Sequence, residues 1–142
     1  MEMEVIDPAA VQMEELVERG VQFHGHLGPF LVCGLRMGLL ALRELDSRGH
    51  FDLRAHVETG TTPPLSCLID GIQVATGCTL GKGNIEVLHR NKARATFSKG
   101  ERRLLVDLRP EVLELVEEGD AEALARRVME LEDEELFRWE HR

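Results

Sequence analysis

Residues 29–45 read PFLVCGLRMGLLALREL, and this stretch decides the fold class. It is apolar nearly all round and is interrupted by Arg36 and Arg43. Because it is shorter than the ~20 residues that span a bilayer, it predicts a buried core helix and no membrane segment. Gly34 and Gly38 lie four residues apart, so they share a helix face on which another backbone can approach closely. This pattern is typical of the central helix of a compact domain.

The sequence on either side predicts further helices and strands. Before the central helix, residues 8–20 predict an amphipathic helix that Gly20 ends. After it, residues 54–58 are a candidate strand, and prolines that follow Thr62 predict the start of a helix that reaches residue 76. A three-stranded meander is predicted at residues 85–88, 93–97 and 104–108. Short amphipathic helices are predicted at residues 110–118, 121–131 and 133–139.

These elements predict an α+β fold, because the strands lack the regular alternation with helices that a parallel sheet requires. We expect the buried central helix and the flanking helices to pack on a small, mainly antiparallel sheet. The length predicts a single domain over residues 1–142. Residues 1–109 form its α+β core, and residues 110–142 form a short helical arm with 12 acidic and 4 basic side chains.

Charge and composition exclude several classes of function. The 17 basic and 26 acidic side chains give a net charge of −9, which argues against nucleic acid or an anionic membrane as a partner. The first residues lack the basic and apolar regions of a secretory signal, so we expect a cytoplasmic protein. Three cysteines in that compartment argue against a disulfide framework. Sparse Asn and Gln, with abundant Leu, Glu and Arg, are typical of a thermophilic source.

His24 and His26 are candidate metal ligands. In an extended segment, residues two apart point to the same side, so both imidazoles could reach one metal ion. The helix that begins near Pro29 disfavours protonated imidazole, and metals bind the neutral form. The alternative is a pair of surface histidines that hydrogen-bond within a loop.

The predicted helix after Pro64 has a polar stripe on one side, formed by Cys67, Asp70 and Gln73. Cys67 lies in its first turns, where the helix dipole favours thiolate, the form that binds metals or acts as a nucleophile. The alternative is that Cys67 and Cys78 are small buried apolar residues and that Asp70 is a cap.

The loop GCTLGKGN at residues 77–84 resembles a phosphate-binding loop but lacks the first glycine and the Ser or Thr of that motif. Gly81 and Gly83 beside Lys82 can still form a backbone nest that receives a carboxylate or phosphate oxygen. The alternative is a flexible connection with an exposed lysine.

Two motifs together resemble the formylmethanofuran dehydrogenase E-subunit family: FHGHLGPFLVCGLRMGLLAL at 23–42 and PPLSCLIDGIQVATGCTLGKGN at 63–84. The family is named for a gene neighbour of the molybdenum or tungsten enzyme that reduces carbon dioxide onto methanofuran in methanogenic and related archaea. The resemblance implies an α+β fold, a homodimer, and a cavity where His and Cys residues bind a metal, commonly zinc. Residues that match the motifs are His24, His26, Cys67, Asp70, Gln73, Cys78, Thr79 and Lys82.

The sequence departs from the family pattern in two places. Many members have a cysteine where this chain has Gly28, and longer members carry a C-terminal zinc ribbon that this chain lacks.

The first functional hypothesis is a metal-binding protein with zinc or another divalent transition metal on His24, His26 and Cys67. Asp70 would then orient a ligand or act as a general base, and Cys78 would be a further ligand or a nucleophile. Lys82 would act in catalysis by holding a small anionic group together with Gly81 and Gly83, and Gln73 and Thr79 are further cofactor-binding candidates.

The second hypothesis is an accessory subunit or assembly factor of a molybdenum or tungsten formylmethanofuran dehydrogenase, without turnover of its own. A third, redox chemistry between Cys67 and Cys78, requires the two sulfurs to lie within bonding distance.

Overall fold

The central helix is the most buried element of the chain. A computed structural model describes residues 2–142. Helix α1 (Met13–His24) is followed by α2 (Pro29–Glu44). Helix α2 begins at Pro29, and proline is favoured in the first turn of a helix. Twelve residues of α2 are buried, so the predicted core helix is confirmed.

Helix α3 (Cys67–Thr76) packs backbone to backbone against α2. A side chain at Gly34 would overlap the carbonyl oxygen of Leu68, and one at Gly71 would overlap the carbonyl oxygen of Leu31. The partner backbone predicted for the glycine face of α2 is therefore α3.

A five-stranded sheet in the order β2-β1-β3-β4-β5 covers α2. Its strands are β1 (Arg54–Val57), β2 (Ile85–Val87), β3 (Arg94–Lys99), β4 (Arg102–Leu108) and β5 (Phe137–His141). Strands β3 and β4 form an antiparallel hairpin in which Ala95 pairs with Val106. Side chains on one face of this hairpin, including Phe97 and Leu104, are completely buried in the core.

The meander predicted at residues 85–108 is wrong in the position of its first strand. Strand β2 does not pair with β3; it lies parallel to β1 at the sheet edge, with Ala55 opposite Ile85. Strand β1 pairs with β3 along its other edge, so a strand distant in sequence occupies the place next to β3. Three of the four strand pairs are antiparallel, so the predicted sheet class is correct.

The first helix lies several residues further along the chain than predicted. Residues 8–10 form a turn in which the Asp7 carboxylate accepts the N–H of Ala9. The helix continues past Gly20, which packs against Leu35, and Gly25 with φ of 107° ends it. The glycine at position 20 serves close packing, whereas the later one adopts the left-handed conformation of a helix end.

The arm contains α4 (Pro110–Glu117), α5 (Ala121–Glu130) and α6 (Asp133–Leu136), but its last segment is a strand. The helix predicted at residues 133–139 is helical only in its first four residues, and β5 then pairs with β4. Strand β5 completes the sheet edge, where Phe137 is buried opposite Leu108. No helix within residues 2–142 has the length and apolar character needed to cross a membrane.

Candidate functional site

The two histidines lie at the junction between α1 and α2. His24 is the last residue of α1, and the left-handed Gly25 turns the chain so that His26 follows on the same side. The ring centroids are 4.8 Å apart, with the planes inclined at 34°. The two imidazoles are close together as predicted, but a helix end and a left-handed glycine bring them together, and the extended segment that was expected is wrong.

Asp70 fixes the orientation of His24. The Nδ1 of His24 lies 2.6 Å from the Oδ2 of Asp70, across the contact between α1 and α3. Because Nδ1–H donates to the carboxylate in the neutral ring, the lone pair is on Nε2. Of the buried side-chain nitrogen and oxygen atoms in residues 2–142, only this Nε2 lacks a hydrogen-bond partner. A buried, correctly oriented nitrogen without a partner is a candidate ligand atom.

We call the cavity beside these rings the histidine pocket. It has a volume of about 250 Å³ and is lined by the three predicted metal ligands, His24, His26 and Cys67. The remaining lining is mainly apolar, with Glu117 as its charged residue and no Lys or Arg. The other lining residues are Gly28, Pro29, Phe30, Pro64, Val116, Gly119 and Ala121.

The thiol of Cys67 does not have the low pKa expected at a helix start. Burial raises the pKa of this thiol, and the negative charge of Asp70 one turn further along α3 raises it again. Desolvation and a like charge both favour the neutral thiol here, contrary to the expectation of a favoured thiolate.

The donor residues share a pocket without forming a coordination group. In the described part of the chain, no three His, Cys, Asp or Glu side chains are placed so that they could hold one metal ion. Gly28 lies directly beside them, because a side chain there would begin 3.1 Å from the Nε2 of His26. Position 28 thus faces the histidine pocket.

The residues expected to hold an anion lie elsewhere. Gln73, Thr79 and Lys82 line a separate cavity of about 750 Å³, which we call the second cavity, and it shares no residue with the histidine pocket. Gly81 and Gly83 lie in the exposed turn beside it. The polar side of α3 therefore serves two cavities, Cys67 at one end and Gln73 towards the other.

Cys78 lies outside both cavities. It is completely buried, its Sγ lies 3.5 Å from the carbonyl oxygen of Leu53, and burial raises the pKa of its thiol. The structure thus separates Cys78 from the histidine pocket.

Sequence reasoning missed several lining residues. Glu117 and Val116 reach the histidine pocket from α4, and Arg19 and His50 line the second cavity. Only tertiary packing brings these residues to their sites. The left-handed backbone of His50, with φ of 54°, is equally invisible in the sequence.

Comparisons with known proteins agree with this fold. A crystal structure of a tungsten formylmethanofuran dehydrogenase E-subunit (FmdE)-like protein from Syntrophus aciditrophicus superposes with a TM-score of 0.74 and is 25% identical. The match covers 99% of this chain and 77% of that one. The expected α+β fold is therefore confirmed.

A probable S-adenosyl-L-methionine-binding protein of Archaeoglobus fulgidus is 38% identical over 93 residues. The match covers 61% of this chain and 24% of that protein, so the chain spans about a quarter of this curated relative. Residues 23–138 match the family described as FmdE, molybdenum formylmethanofuran dehydrogenase operon. That match includes both the histidine pair and the α3 motif, and the chain belongs to the FmdE family.

Proposed function

We propose that the histidine pocket is a metal centre, with zinc or another divalent transition metal held by His24, His26 and Cys67. The observation that carries the proposal is the buried Nε2 of His24, which has no partner while Asp70 holds the other ring nitrogen. Histidines that bind metals commonly donate their second N–H to a carboxylate in this way. Asp70 is thus a positioning residue for His24.

The other two donors suit the same ion. Two imidazoles and a thiolate are ligands that zinc prefers, and metal coordination deprotonates a thiol whose pKa is otherwise raised. His26 is exposed between Gly25 and Gly28, so its ring has room to turn. Binding therefore requires side-chain rotation of His26 and Cys67 into one coordination group.

A bound divalent ion would supply Lewis-acid chemistry, polarising a carbonyl group or acidifying water. The residues of this chain limit what enters: the volume of about 250 Å³ accepts only a small molecule, and Phe30 and Val116 give it apolar walls. The substrate class we propose is a small anion, because a bound divalent cation would attract it; the lining supplies no Lys or Arg for this, and its Glu117 carboxylate opposes it.

Metal analysis of the full chain tests this proposal. We expect about one metal ion per chain in the purified or reconstituted protein, and loss of that metal in His26→Ala and Cys67→Ser. Asp70→Asn is expected to weaken metal affinity by about 10–100-fold, since it alters the group that orients His24. In the cobalt-substituted protein, Cys67→Ser should also abolish the thiolate-to-metal charge-transfer absorption.

His89→Ala is the matched control, because His89 is an exposed histidine that lines neither cavity. Unchanged metal content in both His26→Ala and Cys67→Ser would contradict the site, as would failure to take up zinc or cobalt on reconstitution.

A second candidate function is that of a non-catalytic accessory subunit or assembly factor of a formylmethanofuran dehydrogenase. The acidic arm, with 12 acidic and 4 basic side chains, offers a charged surface for such a partner. Co-purification of this chain with the molybdenum or tungsten enzyme would support this function. Sedimentation of the isolated chain tests the expected homodimer, and a homodimer that captures none of the enzyme's other subunits would contradict the accessory role.

A further inference from the structure

We propose that the second cavity is a binding site for a small organic anion, separate from the histidine pocket and independent of any metal there. The oxyanion group would lie toward Lys82 and Arg19, and an apolar body would lie against Phe23 and Val74. The cavity's volume of about 750 Å³ is in the range of small-molecule sites in proteins.

The charge of the lining favours an anion, although the chain as a whole carries −9. Arg19, His50 and Lys82 line the second cavity against one carboxylate, that of Glu4. None of these three basic side chains forms an ion pair within residues 2–142. Most other arginines of the chain are paired with carboxylates, so the basic groups of this cavity remain available to a ligand.

Lys82 is held in place before any ligand binds. Its Nζ donates to the Oγ1 of Thr79 at 3.1 Å and lies 6.0 Å from the centroid of the Phe51 ring. The backbone N–H of Thr79 in turn donates to the Oδ1 of Asn84 at 2.8 Å. An ordered ammonium group loses less side-chain entropy on binding than a free surface lysine does.

Asn84 also fixes the opposite wall. Its buried Nδ2 donates to the carbonyl oxygen of His50 at 2.7 Å and to that of Leu53 at 3.1 Å. His50 has φ of 54°, a left-handed conformation that is costly for a residue other than glycine. One buried amide thus connects the loop of Lys82 to the loop of His50, and it keeps both at the same cavity.

The close approach of His50 to α3 depends on Gly77. A side chain at Gly77 would overlap the Nδ1 of the His50 ring. Backbone strain maintained by surrounding structure is typical of ligand sites. The His50 imidazole thereby adds a hydrogen-bonding group to the wall formed by the end of α3.

Aromatic side chains supply the apolar part of the site. Phe23 lines the second cavity with 59% of its surface exposed, and Phe51, with 66% exposed, lines a neighbouring cavity that shares Glu4, His50 and Lys82 with it. Large exposed aromatic side chains next to basic groups favour a ligand that has an apolar body.

Titration of the isotopically labelled full chain with phenyl phosphate, followed by NMR, tests the proposal. We expect shifts at Gln73, residues 79–83 and His50, without shifts at residues 24–28. Lys82→Gln and Arg19→Gln should each weaken binding by about tenfold, and Lys82→Arg should retain it. Glu4→Gln should tighten binding severalfold, because it removes the carboxylate that repels the ligand. A second titration uses benzoate in place of phenyl phosphate, and the ligand that binds more tightly identifies the preferred oxyanion.

Lys92→Gln is the control, because Lys92 is an exposed lysine in a different cavity and has no ion pair in the described residues. Equal weakening by Lys92→Gln and Lys82→Gln would overturn the proposal, since it would indicate attraction to surface charge in general. Absence of shifts at millimolar phenyl phosphate, or shifts centred on the histidine pocket, would overturn it too. Equally tight binding of benzyl alcohol would show an apolar site rather than an anion site.

Discussion

At position 67, three effects act on one thiol. A helix start in general favours the thiolate, whereas burial and the charge of Asp70 raise the pKa of this thiol. Asp70 therefore has opposite effects on two neighbours in the metal-free protein. It orients His24 for coordination, and it adds to the effect of burial in raising the pKa of the Cys67 thiol.

The effect of Asp70 on Cys67 can be measured from the alkylation rate of the thiol in the metal-free protein. Cys67 is the half-buried cysteine of the chain, whereas Cys33 and Cys78 are buried, so slow iodoacetamide modification reports on Cys67. Asp70→Asn removes the negative charge and should lower the pKa of the thiol, which moves the rate-versus-pH curve to lower pH. The rate at pH 8 should then rise severalfold, measured by mass spectrometry of the modified peptide.

Glu86→Gln is the control for the loss of one negative charge, because Glu86 lies on the exposed edge strand β2. A curve that does not move in Asp70→Asn, or moves to higher pH, would show that Asp70 does not act on the thiol.

At the scale of elements, the contact between α2 and α3 determines where both cavities lie. Gly34 and Gly71 allow the backbones to touch, and a methyl group at either position would overlap a carbonyl oxygen of the other helix. Alanine normally gains about 1 kcal/mol over glycine in a helix. Here the overlap is with backbone, which cannot rotate away, so steric strain exceeds that gain.

We therefore expect Gly34→Ala and Gly71→Ala each to lower the free energy of unfolding by about 1–3 kcal/mol, measured by urea denaturation. Gly81→Ala is the matched control, because no atom lies within 4 Å of a side chain at that position, and its change should stay within about 0.5 kcal/mol. A stabilised Gly34→Ala variant would show that the helices separate easily.

The helices and strands also show which features could be predicted from the sequence and which could not. The apolar run of α2 and its glycine face are local patterns, and both the helix and its close packing were predicted correctly. The partner of β2 was not, because alternation of apolar residues identifies a strand without its neighbours. The last strand was missed for a related reason: Phe137 is buried by pairing with β4, a contact distant in sequence.

In the candidate site, too, local features could be predicted from the sequence, whereas contacts between distant residues could not. Histidines two residues apart stay together, because that proximity depends only on the local chain. The spacing of Cys67, Asp70 and Gln73 correctly gives one side of α3, but periodicity does not show that the helix passes from one cavity to another. Lys82 was consequently grouped with Cys67, although the two line different cavities.

At the scale of the whole molecule, one aspartate fastens the arm to the central helix. The carboxylate of Asp133 accepts hydrogen bonds from two guanidinium groups, that of Arg36 at 3.0 Å and that of Arg43 at 2.6 Å. Arg36 also donates to the carbonyl oxygens of Val128 and Met129 at the end of α5. The side chains of Arg36 and Asp133 are only 11% and 18% exposed, so removal of the carboxylate leaves a nearly buried guanidinium without its counter-charge.

Asp133→Ala should therefore lower the free energy of unfolding by about 2–3 kcal/mol. Glu134→Ala is the matched control, since it removes an exposed carboxylate from the same helical turn and should change stability by less than about 0.5 kcal/mol.

The single tryptophan, Trp139, lies in β5 and donates to Glu44 of α2 at 3.2 Å, so its fluorescence reports whether the arm is docked. If arm and core form one cooperative unit, the fluorescence and far-ultraviolet circular dichroism transitions in urea coincide in the wild type and shift together in Asp133→Ala. A fluorescence transition that precedes the loss of helix would instead show that the arm undocks from a folded core, and that Asp133 stabilises the docking rather than the domain.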